Sequence, residues 1–283
     1  METTIFGPPG TGKTTRLINI VKDAIADGMD PNRIAFMSFS KKAAEEAKTR
    51  AIAELDVDSR DLIWFRTLHS LAFNCLGMRG QDVFKGADFH KLGELVGLEF
   101  KANASNNMSD GVLFIPGGGG DKYLSMVQEA RVREVTLEQQ FNDAADYNLH
   151  FQQLRVLAKA YEDLKKELRK RDFVDMIEDF IEQGTSPRFD LLIIDEAQDL
   201  APLQWRMVKE VLVPNSKQVY YAGDDDQCIY SWMGVRVSDF LGASDSKVVL
   251  DKSYRVPLTV HKFADQLVRR VATRQEKVWQ PVE

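Results

Sequence analysis

The sequence predicts an α/β protein, a parallel and doubly wound sheet interrupted by a mainly helical inserted subdomain. Three observations predict it. Short β-prone runs alternate with helical periodicity toward both ends of the chain. Residues 191–194 are a continuous apolar run of the kind buried on both faces of a sheet. Between about Cys75 and Thr185 the pattern becomes helical stretches separated by polar loops.

Residues 3–6 are β-prone, break into Gly7, Pro8, Pro9 and Gly10, and give way to Leu17, Ile18, Val21 and Ile25 at helical spacing. Residues 34–39 read as a second strand, Ser40 as an N-cap, and residues 41 to about 53 as an alanine-rich helix. A third apolar piece at 62–65 runs into Thr67, Leu68, His69 and Ser70. Within the insertion, residues 117–120 are a glycine run and residues 151–169 a long amphipathic helix. Alternation resumes at Phe189, with further strands expected at 218–222 and 247–250. Segments 1–74 and 186–250 would then share one sheet, and 75–185 would be the helical subdomain.

With 283 residues and 44% hydrophobic content, the chain can bury a substantial core. A net charge of −6 and a pI of 5.4 exclude a generally basic, nucleic-acid-coating protein, so any such contact is local. No apolar run nears the roughly 20 residues of a membrane helix, and the N-terminus lacks a signal pattern. Cys75 and Cys228 form no metal-like cluster and fit a reducing compartment. Together these features predict a cytoplasmic protein with no membrane partner.

Residues 7–14, GPPGTGKT, match GxxxxGK[ST] between a strand and a helix, where backbone amides surround phosphate oxygens. Gly7, Pro8, Pro9, Gly10, Thr11, Gly12, Lys13, Thr14 and Thr15 are therefore expected to bind ATP. Lys13 would reach the β and γ phosphates, and the Thr14 hydroxyl would ligate Mg²⁺. An ordinary glycine turn is the alternative, and the strand-loop-helix context argues against it. The run LLIID ends a strand on Asp195 and Glu196, at the edge where open α/β sheets bind ligands. Asp195 would hold the metal, and Glu196 would orient or deprotonate the attacking water. A solvated turn is the plain alternative for such a pair, and the phosphate loop decides against it. Lys41 and Lys42 oppose the dipole of the helix they begin, a cost that a phosphate ligand would offset; pairing with Glu45 and Glu46 is the other reading. Residues 165–171 read as a solvated helix face.

DEAQD at 195–199, GDDDQCIYSWMG at 223–234 and SYRVP at 253–257 resemble, in the same order, motifs II, III and IV of UvrD/Rep-type superfamily 1 helicases. FSKKAAEEAKTR at 39–50 resembles motif Ia, TLHS at 67–70 the DNA-contact motif after it, and DFVDM at 172–176 a segment near the end of the helical insertion. The resemblance covers nearly the whole chain. It implies a RecA-like P-loop NTPase sheet and an ATP-dependent motor moving 3′ to 5′ on single-stranded DNA or at a single/double-strand junction. In that setting Gln227 would sense the γ-phosphate, Tyr254 would stack on adenine, and Arg255 would act as an arginine finger. Phe39, Lys42, Thr67, His69, Tyr230 and Trp232 would line a single-strand groove, where aromatic stacking is sequence-tolerant. A surface salt bridge for Arg255, a core place for Trp232 and a structural hydrogen bond for His69 are the other roles open to them.

The chain departs from the family at Leu68, Met233 and Cys228, where phenylalanine, arginine and serine are usual. The first strand is expected to start almost at Met1, which would leave no room for the upstream glutamine that reads adenine in the family. Motifs V and VI are not found, and residues 251–283 resemble the entrance to a second RecA-like domain. The expectation is an N-terminal motor portion, weakly active alone, that depends on a second motor domain in cis or in trans. A nucleotide-dependent DNA-binding or regulatory module, and the motor part of a helicase-nuclease, are the rival readings.

Overall fold

The computed structural model describes residues 1–55, 57–100, 119–144 and 149–282, with the side chain of Trp232 outside that set. The glycine run therefore falls partly outside the described residues, since only Gly119 and Gly120 are included.

Six parallel strands make the main sheet: β1 (Glu2–Phe6), β2 (Ile34–Met37), β3 (Phe65–Arg66), β4 (Phe189–Ile194), β5 (Ser216–Gly223) and β6 (Ser246–Val249). Their order is β3-β2-β4-β5-β1-β6. The central strands are buried nearly end to end, and apolar runs rather than alternation encode them because helices cover a parallel sheet. Helix α1 (Lys13–Ala26) turns Leu17, Ile18 and Val21 inward, and α2 (Lys41–Leu55) turns in Ala44, Ala47 and Ala51. Leu17, Ile18, Val21, Ala47 and Ala51 share one core with Ile5, Ile34, Phe36, Leu191 and Ile193.

β2 and β3 end elsewhere than the sequence predicts, and β1, β5 and β6 shift by one or two residues at their ends. β2 stops at Met37, because Phe39 and Ser40 already belong to the turn into α2, where Ser40 Oγ accepts the Ala43 N–H at 3.2 Å. The piece expected at 62–65 is extended only at Phe65 and Arg66; Leu62 is fully buried in the same core from a turn, so its apolarity marks burial and not a strand.

The backbone groups into two compact units, Met1–Leu68 with Ser186–Leu200 and Val208–Glu283, and His69–Thr185 with Ala201–Met207. The second is helical, with helices Ala87–Val96, Gly119–Arg133, Leu137–Ala144, Phe151–Leu168 and Phe173–Gln183. Its core gathers Phe84, Phe89, Leu92, Leu157 and Tyr161, with Phe84 edge-on to both Phe89 and Tyr161. The DFVDM segment begins the Phe173–Gln183 helix with a capping box: Asp172 accepts the Asp175 N–H at 2.7 Å and Asp175 accepts the Asp172 N–H at 2.8 Å. Residues 165–171 are not simply a solvated face. The Lys165 side chain is 2% exposed and its ammonium meets Asp172, Asp175 and Glu162, while Arg131 joins Asp172, Asp175 and Glu178. Among the described residues no helix is long and apolar enough to cross a membrane.

Candidate nucleotide site and nucleic-acid face

The phosphate loop leaves the end of β1 and is closed by its own groups. Gly7 N donates to Gly223 O at 2.9 Å, tying the loop to β5, and Thr11 Oγ1 donates to Pro8 O at 2.7 Å. Gly10 and Gly12 lie in the left-handed region at φ 74 and 77, which turns the chain into α1 at Lys13. The SYRVP segment braces the loop from outside: Ser253 Oγ donates to Pro9 O at 2.7 Å, and Tyr254 N donates to Gly10 O at 2.9 Å.

Sheet order sets only β5 between β1 and β4, so the loop and the acidic pair emerge on the same edge. Lys13 Nζ donates to Glu196 Oε2 at 2.5 Å and stands 3.6 Å from Asp195 Oδ1. Gln198 Nε2 donates to Glu196 Oε2 and to Asp199 Oδ2, each at 3.0 Å. Burial works against the Lys13 charge, yet the facing Asp195 and Glu196 carboxylates outweigh it and raise its pKa. Burial, reinforced by the Glu196 charge, pushes the Asp195 carboxyl up to about 6 against the pull of Lys13. The same two causes push Asp199 up to about 7.

A cleft of about 380 Å³ is lined by the loop from Gly7 to Thr15, by Glu196, Gln227, Tyr254 and Arg255, and by Glu46 and Arg50. The catalytic and ATP-binding residues expected from the sequence thus surround one space, with Asp195 buried beside it. Gln227 is held by its Nε2, which donates to Asp224 Oδ2 at 2.5 Å. Tyr254 is 71% exposed at the rim, and Arg255 is exposed and makes no ion pair among the described residues, so the salt-bridge reading finds no partner. Glu46 and Arg50 were not anticipated. They pair with each other at 2.6 Å across one turn of α2, and Lys42 makes no ion pair with Glu46. Gln198 and Asp224 lie inside the quoted motifs, which assign them no role.

Of the nucleic-acid candidates, Phe39 and Tyr230 stack with ring centroids 5.6 Å apart at 27° and both are half-buried. Lys42 is exposed and Thr67 is buried. His69 belongs to the helical unit, edge-on to Phe173 at 5.8 Å. The side chain of Trp232 lies outside the described residues.

A glycine-rich loop between a strand and a helix, facing an acidic pair at the same edge of a parallel sheet, is the arrangement of a P-loop NTPase fold. The chain belongs to the UvrD/REP helicase N-terminal domain family, whose profile matches residues 1–247. It is 26% identical over 292 residues to the ATP-dependent DNA helicase PcrA of Leuconostoc citreum, covering 97% of this chain and 38% of that protein. It is 25% identical over 293 residues to DNA helicase II of Haemophilus influenzae, covering 96% and 39%. A probable DNA helicase II homolog of Mycoplasma genitalium is 23% identical over 295 residues, covering 97% and 41%. The chain spans about two fifths of the length of these relatives.

Proposed function

We propose that this chain is the ATP-binding portion of a DNA helicase motor that couples ATP hydrolysis to movement on single-stranded DNA, 3′ to 5′ by its resemblance to the family. The observation that carries this reading is the convergence of Lys13, Glu196, Gln227, Tyr254 and Arg255 on one cleft. The relatives' names, ATP-dependent DNA helicase and DNA helicase II, support it.

In this reading Lys13 leaves Glu196 for the β and γ phosphates of ATP and frees that carboxylate to orient or deprotonate the attacking water. Asp195 and the Thr14 hydroxyl are hard oxygen donors at the same edge, a set that suits Mg²⁺. Bound there, Mg²⁺ supplies neutralisation of the phosphate charge. Arg255, exposed beside the phosphate loop, supplies a guanidinium to the charge-spread transition state, and Tyr254 supplies an adenine platform. Phe39, Lys42, Thr67, His69, Tyr230 and Trp232 remain the residues proposed for DNA. Segments 1–74 and 186–250 are assigned to the first RecA-like domain, 75–185 to the helical subdomain, and 251–283 to the start of a second motor domain, completed in cis or in trans. The chain alone is then expected to bind ATP and Mg²⁺ with weak turnover and no processive unwinding.

Fluorescent-nucleotide titration and DNA-stimulated ATPase assays test this. Lys13→Ala should weaken ATP binding about 10- to 100-fold, the worth of a charged hydrogen bond to phosphate. Unchanged affinity and turnover in that variant would refute the site, and robust unwinding by the chain alone would refute its dependence on a second domain.

A further inference from the structure

A second charge constellation lies in the sheet unit, where the C-terminal segment meets the loop after β5. The Lys277 side chain is 0% exposed, and its Nζ lies 2.8 Å from Asp224 Oδ1, 2.5 Å from Asp225 Oδ1 and 2.7 Å from Asp226 Oδ2. Arg274 grips Asp226 through Nε and Nη2, each at 2.8 Å, and Gln275 N donates to Asp225 Oδ2 at 2.7 Å. Three successive carboxylates on one short turn repel each other, and a buried cation among them offsets that repulsion.

That turn leads into the cleft. Asp224 Oδ1 accepts Lys277 and the Asp226 N–H, while Asp224 Oδ2 accepts the Gln227 amide. The Asp224 N–H donates to Gln198 Oε1 at 3.1 Å, and Gln198 donates in turn to Glu196. A continuous hydrogen-bonded path therefore joins Lys13, Glu196, Gln198 and Asp224, and divides there to Gln227 and Lys277. Beyond Lys277 the same segment forms a short parallel pair, Gln280–Pro281 against Lys252–Ser253: Gln280 N donates to Asp251 O at 2.8 Å and Val282 N to Ser253 O at 2.7 Å.

We propose that Lys277 is a positioning residue for γ-phosphate recognition: its ammonium gathers Asp224, Asp225 and Asp226 so that Asp224 presents the Gln227 amide to the cleft. This rests on Gln227 being the group that senses the γ-phosphate. Loss of the ammonium leaves three carboxylates with Arg274 alone, the turn spreads, and Gln227 loses its anchor. ADP, which has no γ-phosphate, is held by the phosphate loop and reports whether the site is intact.

The test measures the affinity of the 283-residue chain for AMP-PNP and for ADP, both with Mg²⁺. Gln227→Ala should lower the AMP-PNP advantage over ADP about tenfold. Lys277→Met should lower it by a similar factor, and the double variant should lose no more than either single one. If Lys277→Met fails to fold, Asp225→Asn/Asp226→Asn/Lys277→Met removes the repulsion that the ammonium offsets and should restore both the fold and the advantage, and a folded triple variant without it overturns the proposal. A folded Lys277→Met variant that keeps the full advantage, while Gln227→Ala loses it, overturns the positioning role and leaves the sensor standing. An advantage untouched by Gln227→Ala removes the sensor and the inference with it.

Discussion

Glu196 sits in the left-handed region at φ 54 although it carries a side chain. That conformation costs a non-glycine residue about 1–2 kcal/mol, and here it follows β4 directly and carries the carboxylate that meets Lys13. Gly10 solves the opposite problem. A Cβ there would lie 2.5 Å from Arg255 Cβ and 2.8 Å from Ser253 Oγ, whereas one at Gly28, at φ 88, would meet nothing within 4 Å. Alanine at either place carries the backbone penalty of about 1–2 kcal/mol. Only Gly10→Ala also drives residues 253–255 off the loop, breaking the bonds to Pro9 and Gly10. We expect Gly10→Ala to weaken nucleotide binding about tenfold or more, at roughly 1 kcal/mol per lost hydrogen bond. Gly28→Ala should lower only the melting temperature. Equal nucleotide affinities in the two variants would show that the brace is not needed for binding. Lys13, Asp195 and Glu196 were legible in the sequence because their motifs state their own geometry. Glu46 and Arg50 were not, because a helix offers Glu46 a cation at either end of its reach, and only the packed structure shows that Arg50 takes it. Lys277 was not legible because its partners lie far away in the chain, beyond any local pattern.

Among the elements, the junction of β2 and α2 shows how a short strand sets up a surface. β2 ends at Met37, Ser40 caps α2, and Phe39 between them projects from the sheet edge to stack on Tyr230. The pair offers a half-buried aromatic platform. A base stacked on such a platform contributes about 1–3 kcal/mol regardless of its identity. Phe39→Ala and Tyr230→Ala should each weaken binding of single-stranded oligonucleotides by roughly 5- to 150-fold. The loss should be similar for thymine and mixed sequences in fluorescence anisotropy. Unaltered affinity in both variants would move the DNA path away from this face. Alternation along the chain revealed the strands, yet it did not reveal which are neighbours: β4 slots between β2 and β5 after a long helical excursion. It also overstated β3, since an apolar residue such as Leu62 reads the same in a buried turn as in a strand.

At the scale of the whole molecule, the two units respond to acid through different groups. In the helical unit, burial pushes the His69 imidazole down to about 4, with the Asp172 charge acting the other way. Its folded pKa thus lies below its unfolded value near 6.5, and the unfolded chain takes up the proton first. His69 contributes its full stability above about pH 6.5 and loses it as pH falls toward 4. Asp172 is buried, but Arg131 and Lys165 hold its carboxyl well below the ordinary range, so its loss begins only at more acidic pH. In the sheet unit the raised carboxyls of Asp195 and Asp199 work in the reverse sense, weakening the fold as pH rises through about 6 and 7. A whole-chain profile sums these opposed limbs, so a comparison with His69→Asn isolates one of them. Between pH 6.5 and 4.5 the parent chain should lose about 2–3 kcal/mol of helical-unit stability that the variant does not, measured by urea denaturation at each pH. The imidazole signal of His69 in nuclear magnetic resonance should titrate near 4 over the same range. A midpoint near 6.5, or a variant that loses as much stability as the parent, would show that His69 does not carry the acid limb between pH 6.5 and 4.5.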